Sequence, residues 1–416
     1  MRLGILAVGR HPPTGGHIFD EGDMSPIAKP ATKPVSALFS SGPTRKRPAW
    51  TPSALADAAL GRSHRAAGPK AKIETLLEQM HALLGLPEDY LIGIVPGSDT
   101  GAVEMAMWSL LGARGVDVLG WEAFGRTWVG DAVNQLKLDN LNVIEAEYGD
   151  LPDLAQVNFD HDVIFTWNGT TSGVRVPNGD WIPADRAGLT IADSTSACFA
   201  MPMVWDKLDV VTFSFQKALG GEGGHGVIIL SPRAVARANS HKPAWPVPKV
   251  LSLHKKGKLD AAIFTGSTIN TPSMLVIEDA LDAVAWARSI GGKDALFARV
   301  EANLAAVAAW IETSPNFAFL ANDPATISPT AICLKVTDLW FDSLDAADKK
   351  WVVKRAEALL AAEQVALDIG SYRDAPLGLR LWGGPTVDPE DMQALVPWLD
   401  WAYLTAKDEF TTGETK

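Results

Sequence analysis

Val210-Val211-Thr212-Phe213-Ser214-Phe215-Gln216-Lys217, followed by Ala218-Leu219-Gly220-Gly221, puts a lysine at the end of an apolar β-type run and just ahead of a glycine turn. Runs of this length, rich in valine and phenylalanine and bounded by glycine, read as strands. A lysine at the end of such a strand reaches water poorly. Its ammonium form is then disfavoured and a neutral, reactive amine becomes accessible. Amines of that kind form Schiff bases with carbonyl compounds. Taken alone, a lysine in this position is more often a strand-end cap.

Two further strand ends change that reading. Leu189-Thr190-Ile191-Ala192-Asp193 is an apolar run ending in a carboxylate. Pyridoxal phosphate pairs its reactive aldehyde with a pyridine nitrogen that an acid must hold protonated, so that the ring can take up electrons. Tyr90-Leu91-Ile92-Gly93-Ile94-Val95 leads into Pro96-Gly97-Ser98-Asp99-Thr100-Gly101 and then an amphipathic segment from Ala102 to Leu111. A loop that opens a helix presents free N–H groups and a positive dipole end, which suits a phosphate. Phosphate loop, acid and lysine, each at a strand end and in that order, form a constellation that chance seldom produces.

The chain has 416 residues, 47% of them hydrophobic, enough for a large core and more than one domain. Its net charge of −12 argues against nucleic acid or an anionic membrane surface as a partner. No apolar run reaches the length of a membrane span. Two cysteines, Cys198 and Cys333, offer neither a disulfide framework nor metal-ligand spacing, as suits a reducing cytosol. The 15 tryptophans are expected in cores or interfaces. Residues 1–35 carry glycine, proline and scattered charge without periodicity and read as a disordered or extended segment. Within it, Met24 is a candidate alternative start.

From residue 50 onward helical and strand patterns alternate. A helix from Ile73 to Leu84 places Ile73, Leu76, Leu77, Met80, Leu83 and Leu84 on one face. Strands follow near Leu91, Val116–Leu119, Asn142–Ala146, Val163–Thr166, Leu189–Ala192, Val210–Phe215 and Gly226–Leu230, with helices at Ala102 and Trp128–Leu138. Apolar strands separated by helices imply a mainly parallel sheet covered on both faces, an α/β architecture. Ligands in such sheets gather at the carboxyl ends of the strands, where the loop, Asp193 and Lys217 sit. After a helix over Ser273–Ser289 the texture changes. Helices at Leu296–Ile311, Ala347–Glu363 and Pro389–Ala406, with strands at Ala331–Val336 and Gly378–Trp382, read as a smaller α+β domain. The expected division is 36–290 for the large domain and 291–416 for the small one.

Eight short motifs in order resemble the phosphoserine aminotransferases, class V members of the fold-type I pyridoxal-phosphate enzymes. They are Phe39-Ser40-Ser41-Gly42-Pro43, Ser63-His64-Arg65, the Pro96–Gly101 loop, Asn168-Gly169-Thr170-Thr171-Ser172-Gly173, Ala192-Asp193-Ser194-Thr195-Ser196, Phe215-Gln216-Lys217, Asn270-Thr271-Pro272 and Gly378-Leu379-Arg380. The resemblance implies a seven-stranded-type central sheet and transfer of an amino group from L-glutamate to 3-phosphohydroxypyruvate. It also implies a possible second substrate in vitamin B6 synthesis. It gives Lys217 the Schiff base to the cofactor and the proton transfer. Asp193 would meet the pyridine nitrogen, Trp128 the ring face and Thr170 the ring hydroxyl. Ser98, Asp99 and Gln216 would hold the phosphate. Asn270 and Thr271 would reach the phosphate of a neighbouring subunit, which implies a homodimer with shared sites.

Substrates of that family are small, multiply anionic amino acids and 2-oxo acids. Arg380 is the candidate for the α-carboxylate, since a planar fork takes both oxygens. His64 and Arg65 are candidates for the distal anion, and Ser41 for an assisting role. The chain departs from the family pattern at Tyr372-Arg373, where a histidine commonly precedes the arginine, and at the phosphate loop. There a carboxylate beside a phosphate is unfavourable, so Asp99 is expected to offer its backbone N–H and turn its side chain away. Arg45-Lys46-Arg47 and Lys255-Lys256-Gly257-Lys258 read as solvated loops. The rivals are a serine/alanine:glyoxylate aminotransferase, a cysteine desulfurase and a cofactor-holding regulator. Neither cysteine sits on a plausible mobile loop, the glyoxylate enzyme has no need for His64-Arg65, and a protein that merely holds the cofactor need not keep the Arg380 carboxylate clamp.

Overall fold

Short apolar runs become the strands of one central sheet. They are β1 (Leu91–Pro96), β2 (Val116–Gly120), β3 (Leu141–Glu145), β4 (Asp162–Thr166), β5 (Thr190–Asp193), β6 (Val210–Ser214) and β7 (His225–Leu230). The computed structural model describes residues 28–413, so the expectations for residues 1–27 and for Met24 lie outside the described residues. The seven strands lie in the order β1-β7-β6-β5-β4-β2-β3. Only β7 opposes its neighbours; β6, β5, β4, β2 and β3 pair in parallel. The carboxyl ends of β1, β5 and β6 therefore share one edge, and the fold is the expected mainly parallel α/β sheet.

Alternation along β6 assigns the two faces. Val211 and Phe213 join α1 (Ala67–Leu84) and α5 (Met274–Ser289) in one core, whereas Val210 joins α2 (Ser98–Leu110) and α4 (Pro232–Ser240) in the other. All six apolar residues predicted on the face of α1 are buried. The helix assigned to Trp128–Leu138 starts earlier, as α3 (Ala123–Gly130), and continues through a single π turn, Asp131–Gln135. The earlier start follows from the buried Glu122 carboxylate, which accepts the Gly125 N–H at 2.6 Å and caps the first turn. α4 was not expected at all: it is nine residues long, shorter than the window in which helical periodicity is read.

The C-terminal lobe holds an antiparallel sheet of β8 (Phe317–Phe319), β9 (Ala331–Val336) and β10 (Gly378–Trp382). It packs with α6 (Lys293–Ile311), α7 (Ala346–Ala362) and α8 (Pro389–Thr412). α8 runs past the expected end at Ala406. Trp382, Trp398 and Tyr403 are among the largest fully buried side chains and belong to this core, as the tryptophan content anticipated.

Residues 28–39 ride on this lobe. Phe39 is fully buried in its core, the Thr32 carbonyl accepts the Trp398 indole N–H at 2.7 Å, and the Val35 N–H donates to Asp391 at 2.6 Å. The following Arg45-Lys46-Arg47 run is not a solvated loop. Arg45 pairs with Asp391 and Asp388, Lys46 with Asp279, and Arg47 with Asp282. Each of these acids sits on or beside α5 or α8, so the run clamps the two lobes together.

Arg45 and Asp391 are 9% and 4% exposed, so removing one partner strands a buried charge. Arg45→Ala should lower stability by roughly 3–5 kcal/mol in chemical denaturation. Lys354→Ala, which breaks the exposed pair with Glu357, should change it by about 0.5 kcal/mol or less. Equal effects would contradict the clamp.

Candidate active site

Lys217 is buried three residues past the end of β6 at Ser214. Its Nζ donates to the Ser41 carbonyl and lies 5.9 Å from the Trp382 ring centre. A Cβ on Gly42 would lie 2.6 Å from that Nζ, so glycine is what lets the Ser41–Gly42 turn close over the lysine. The turn is tied down again when Thr44 donates its hydroxyl to the Lys217 carbonyl at 2.6 Å and its N–H to the Gln216 carbonyl at 3.0 Å. Burial, and after it the charge of Arg380, pull the ammonium down to about 7, against the opposing pull of Asp193, Glu122 and Asp99.

Asp193 ends β5, beside β6, and is also buried. Its two oxygens are each held: Oδ2 by the Trp128 indole N–H at 3.1 Å, Oδ1 by the Thr195 N–H at 3.2 Å. Burial raises its pKa, countered by hydrogen bonds from Asp99, Thr195 and Trp128 and by the charge of Lys217. Trp128 is thus aimed by its N–H at the acid rather than lying on a helix face as plain core.

At the end of β1 the backbone turns sharply. Gly97 and Ser98 both take left-handed conformations, φ 86° and 58°, as α2 begins. A Cβ on Gly101 would collide with the Pro96 carbonyl, so the loop can fold this tightly only with glycine there. Gly223, on the turn before β7, brings Gln216 and Ser98 together: a Cβ built on it would stand 3.8 Å from Gln216 Oε1 and 3.9 Å from Ser98 Oγ. Helix start, hydroxyl and amide make a corner suited to a phosphate.

These groups line one cavity of about 300 Å³, shared by Ser98, Asp99, Trp128, Thr170, Asp193, Gln216 and Lys217. Ser41 forms its cover through the lysine contact, and Arg380 on β10 is close enough for its charge to depress the lysine. The Arg380 guanidinium lies 5.6 Å from the Tyr372 ring, which Arg373 also approaches at 5.2 Å while donating to the Tyr372 hydroxyl. His64 is buried outside the cavity wall, its Nε2 unpartnered; burial and then Arg65 lower its pKa. Arg65 lines a separate cavity with Lys249, His254 and Lys255, which also reaches Ser267–Ile269. Asn270 and Thr271, next along the chain, are exposed. One chain by itself therefore does not bring Arg65, Asn270 and Thr271 to Lys217.

The sequence reading passed over Glu122, Phe124, Thr166 and Asn168, all of which line the cavity. Glu122 is the most consequential. Fully buried, it accepts from the Gly125 N–H and from both the hydroxyl and N–H of Thr171, at 2.7 and 3.2 Å. That ties the helix bearing Trp128 to the Thr170–Thr171 turn. In sequence it is a lone glutamate before a helix, indistinguishable from a cap. Asn168 donates to Ser196 and Thr330 and stood inside a quoted motif without a role.

Buried polar atoms without partners surround the cavity: Ser41 Oγ, Asp99 Oδ1, Thr195 Oγ1, Gln216 Oε1 and Arg380 Nε. Such atoms are costly unless something polar meets them. A ligand with a ring, an anionic end and several acceptors fits that demand, so the residues present suit pyridoxal phosphate.

No family model matches the chain. It is 53% identical over 379 residues to the phosphoserine aminotransferase of Methanosarcina barkeri, covering 91% of this chain and 100% of that one. A solved phosphoserine aminotransferase from Cytophaga hutchinsonii matches with a TM-score of 0.75 at 21% identity, over 87% of this chain and 97% of its own. The ureidoglycine-glyoxylate aminotransferase of Bacillus subtilis matches almost as well, TM-score 0.73 at 15% identity, over 90% and 94%. At these identities the likeness shows a shared fold and does not choose an activity. The choice comes from the closer sequence: identity above one half along nine-tenths of its length places the chain in the phosphoserine aminotransferase family.

A lysine titrating near 7 has a definite signature in the cofactor-free protein. Only the neutral amine attacks an aldehyde, so capture of pyridoxal phosphate, followed by its absorbance change, should accelerate as pH rises through about 7 and then level. A rate still climbing toward pH of roughly 10 would mark an ordinary, solvated lysine.

Proposed function

We propose that this protein transfers the amino group of L-glutamate to 3-phosphohydroxypyruvate, yielding O-phospho-L-serine and 2-oxoglutarate, as the names of its relatives suggest. The observation that carries the proposal is the buried Lys217 facing Asp193 across one cavity, with Arg380 at its side. Bound pyridoxal phosphate supplies an aldehyde for the amino group and a ring that accepts the electrons left at the substrate Cα. Lys217 as a neutral amine would move a proton between that Cα and the cofactor C4′; burial, by lowering its pKa to about 7, would let it both accept and return that proton. Asp193, oriented by the Trp128 and Thr195 donors, would hold the ring nitrogen. Trp128 would serve the ring face and Thr170 the ring hydroxyl. Ser98, Gln216 and the first N–H groups of α2, including that of Asp99, would hold the phosphate. Arg380 would take the α-carboxylate, with Ser41 assisting.

The residues that one chain leaves outside the cavity fit a second copy. In a homodimer His64, Arg65, Asn270 and Thr271 would serve the partner's site, the first two for the distal anion and the others for the cofactor phosphate. The cavity containing Arg65 supports this reading, since it places Arg65 and Lys249 beside Ser267–Ile269, next to Asn270 and Thr271. We place the enzyme in the cytoplasm, in serine synthesis, with the phosphorylated B6-pathway amino acid as a further substrate. We further propose the two-domain division near residue 290, with residues 28–39 on the smaller domain.

Spectra test the assignment. Glutamate should remove the long-wavelength band of the bound cofactor, and phosphohydroxypyruvate, not glyoxylate, should restore it. A band that alanine bleaches and glutamate leaves alone would point to the glyoxylate enzymes instead. Lys217→Ala should lower turnover by at least roughly 10²–10⁴-fold, the usual range for a lost proton-transfer group. Arg380→Ala should weaken every carboxylate substrate together, by roughly 2–5 kcal/mol in kcat/KM; loss confined to one substrate would assign Arg380 to the distal group.

A further inference from the structure

Arg380 is a partly buried arginine with no acid to pair with. Its Nε is buried and unpartnered, and among the described residues no carboxylate or carbonyl bonds its guanidinium. What meets it instead is an aromatic ring: the guanidinium carbon lies over Tyr372, 5.6 Å from the ring centre. Both residues belong to one stretch of chain folded back on itself. The Arg380 N–H donates to the Ile369 carbonyl at 2.7 Å, and Gly370 pairs with Leu379 in antiparallel fashion. The Ser371 N–H then donates to the Gly378 carbonyl at 3.2 Å, and the Ala375 N–H to the Tyr372 carbonyl at 2.9 Å. Tyr372 therefore stands just beyond the paired part, on the arm opposite Arg380.

The ring is itself held twice. It packs against Phe124, centre to centre at 5.5 Å and tilted by 44°. Phe124 lies on α3, the helix of Trp128, and lines the cavity. The Tyr372 hydroxyl accepts an N–H of the Arg373 guanidinium at 3.1 Å. One side chain thus joins the arginine of the C-terminal lobe to a helix of the large sheet. Its chemistry suits that place. A guanidinium is planar and weakly hydrated, and it rests well on an aromatic face. A carboxylate would bind it too, but would occupy the N–H donors that an incoming carboxylate has to use. The ring holds the cation and takes none of those donors.

We propose that Tyr372 is a positioning residue for substrate binding: its ring holds the Arg380 guanidinium beside the cavity with the N–H fork free, and Phe124 keeps the ring in register with the large lobe. This rests on the role given to Arg380 above. The arginine is then ordered before any substrate arrives, so less conformational freedom is lost on binding. Because every substrate carries an α-carboxylate, the ring serves all of them alike. The hydroxyl is secondary, since its partner Arg373 is exposed.

The test uses the full chain loaded with cofactor, and glutarate, which is glutamate without its amino group and binds without reacting. Calorimetry gives its Kd independently of turnover. Tyr372→Leu removes the ring and should raise both the glutarate Kd and the glutamate KM roughly tenfold. Its kcat should stay within about threefold of wild type, because the proton-transfer groups are untouched. Tyr372→Phe keeps the ring and should bind glutarate within about twofold of wild type. A double-mutant cycle then asks through what the ring acts. Added to Arg380→Ala, Tyr372→Leu should change the Kd by no more than about twofold, since the group it positions is already gone. Unchanged glutarate binding in Tyr372→Leu would overturn the proposal. So would equal losses in the Phe and Leu variants, or a full tenfold loss that persists without Arg380. Those results would leave Arg380 its carboxylate. Arg380→Ala with wild-type glutarate binding would instead withdraw the role of Arg380, and the proposal with it.

Discussion

Everything at this site depends on keeping one ammonium group out of water. Lys217 is enclosed from below by the sheet edge that carries it and from above by a turn that arrives from the other lobe. The lid is only a carbonyl and a glycine, Ser41 and Gly42, yet its position is overdetermined. Phe39 anchors one side of it in the C-terminal core, and the Arg45 clamp anchors the other. A lysine so enclosed titrates near 7 because desolvation outweighs the acids around it. Closure of the lobes and chemistry at the amine are consequently one problem.

The acids around the lysine show how charge is rationed in such a space. Glu122, Asp99 and Asp193 are all buried within reach of it. Each is kept by different means. Glu122 is saturated by three donors from two elements, which makes it a tie between α3 and the Thr170–Thr171 turn. Asp193 has one N–H donor on each oxygen, which offsets part of the burial that raises its pKa. Asp99 lines the same cavity with its Oδ1 unpartnered. The same residue type thus does structural and chemical work side by side, and donor count distinguishes the roles.

What could be seen in the sequence follows from the same physics. Strand ends were legible because a buried parallel sheet writes its strands as continuous apolar runs, and β1, β5 and β6 all read that way. Lys217 and Asp193 stood out as charges closing such runs. α1 was legible through one apolar face, whereas α4, only nine residues long, is shorter than the window in which such a face can be read. The clamp Arg45-Lys46-Arg47 was read as solvent-exposed because three adjacent cations look alike on paper; their acids lie more than two hundred positions away. Glu122 was hidden for a related reason, since capping and cavity-lining carboxylates share one local pattern. His64, Arg65, Asn270 and Thr271 were legible as motifs, but one chain does not bring Arg65, Asn270 and Thr271 to Lys217.

Residues 28–39 lie across α8, with Thr32 and Val35 bonded to Trp398 and Asp391 and Phe39 seated among residues from the far end of the polypeptide. On a ribosome those partners follow Thr32 and Val35 by 366 and 356 residues. The strands bearing Asp193 and Lys217 emerge long before, and the large sheet can assemble while the lysine is still open to solvent and as basic as any other. Only α8 supplies the surface on which residues 28–39 settle, and with them the Ser41–Gly42 turn comes down over the amine. The reactive group is therefore armed late, once α8 has been made.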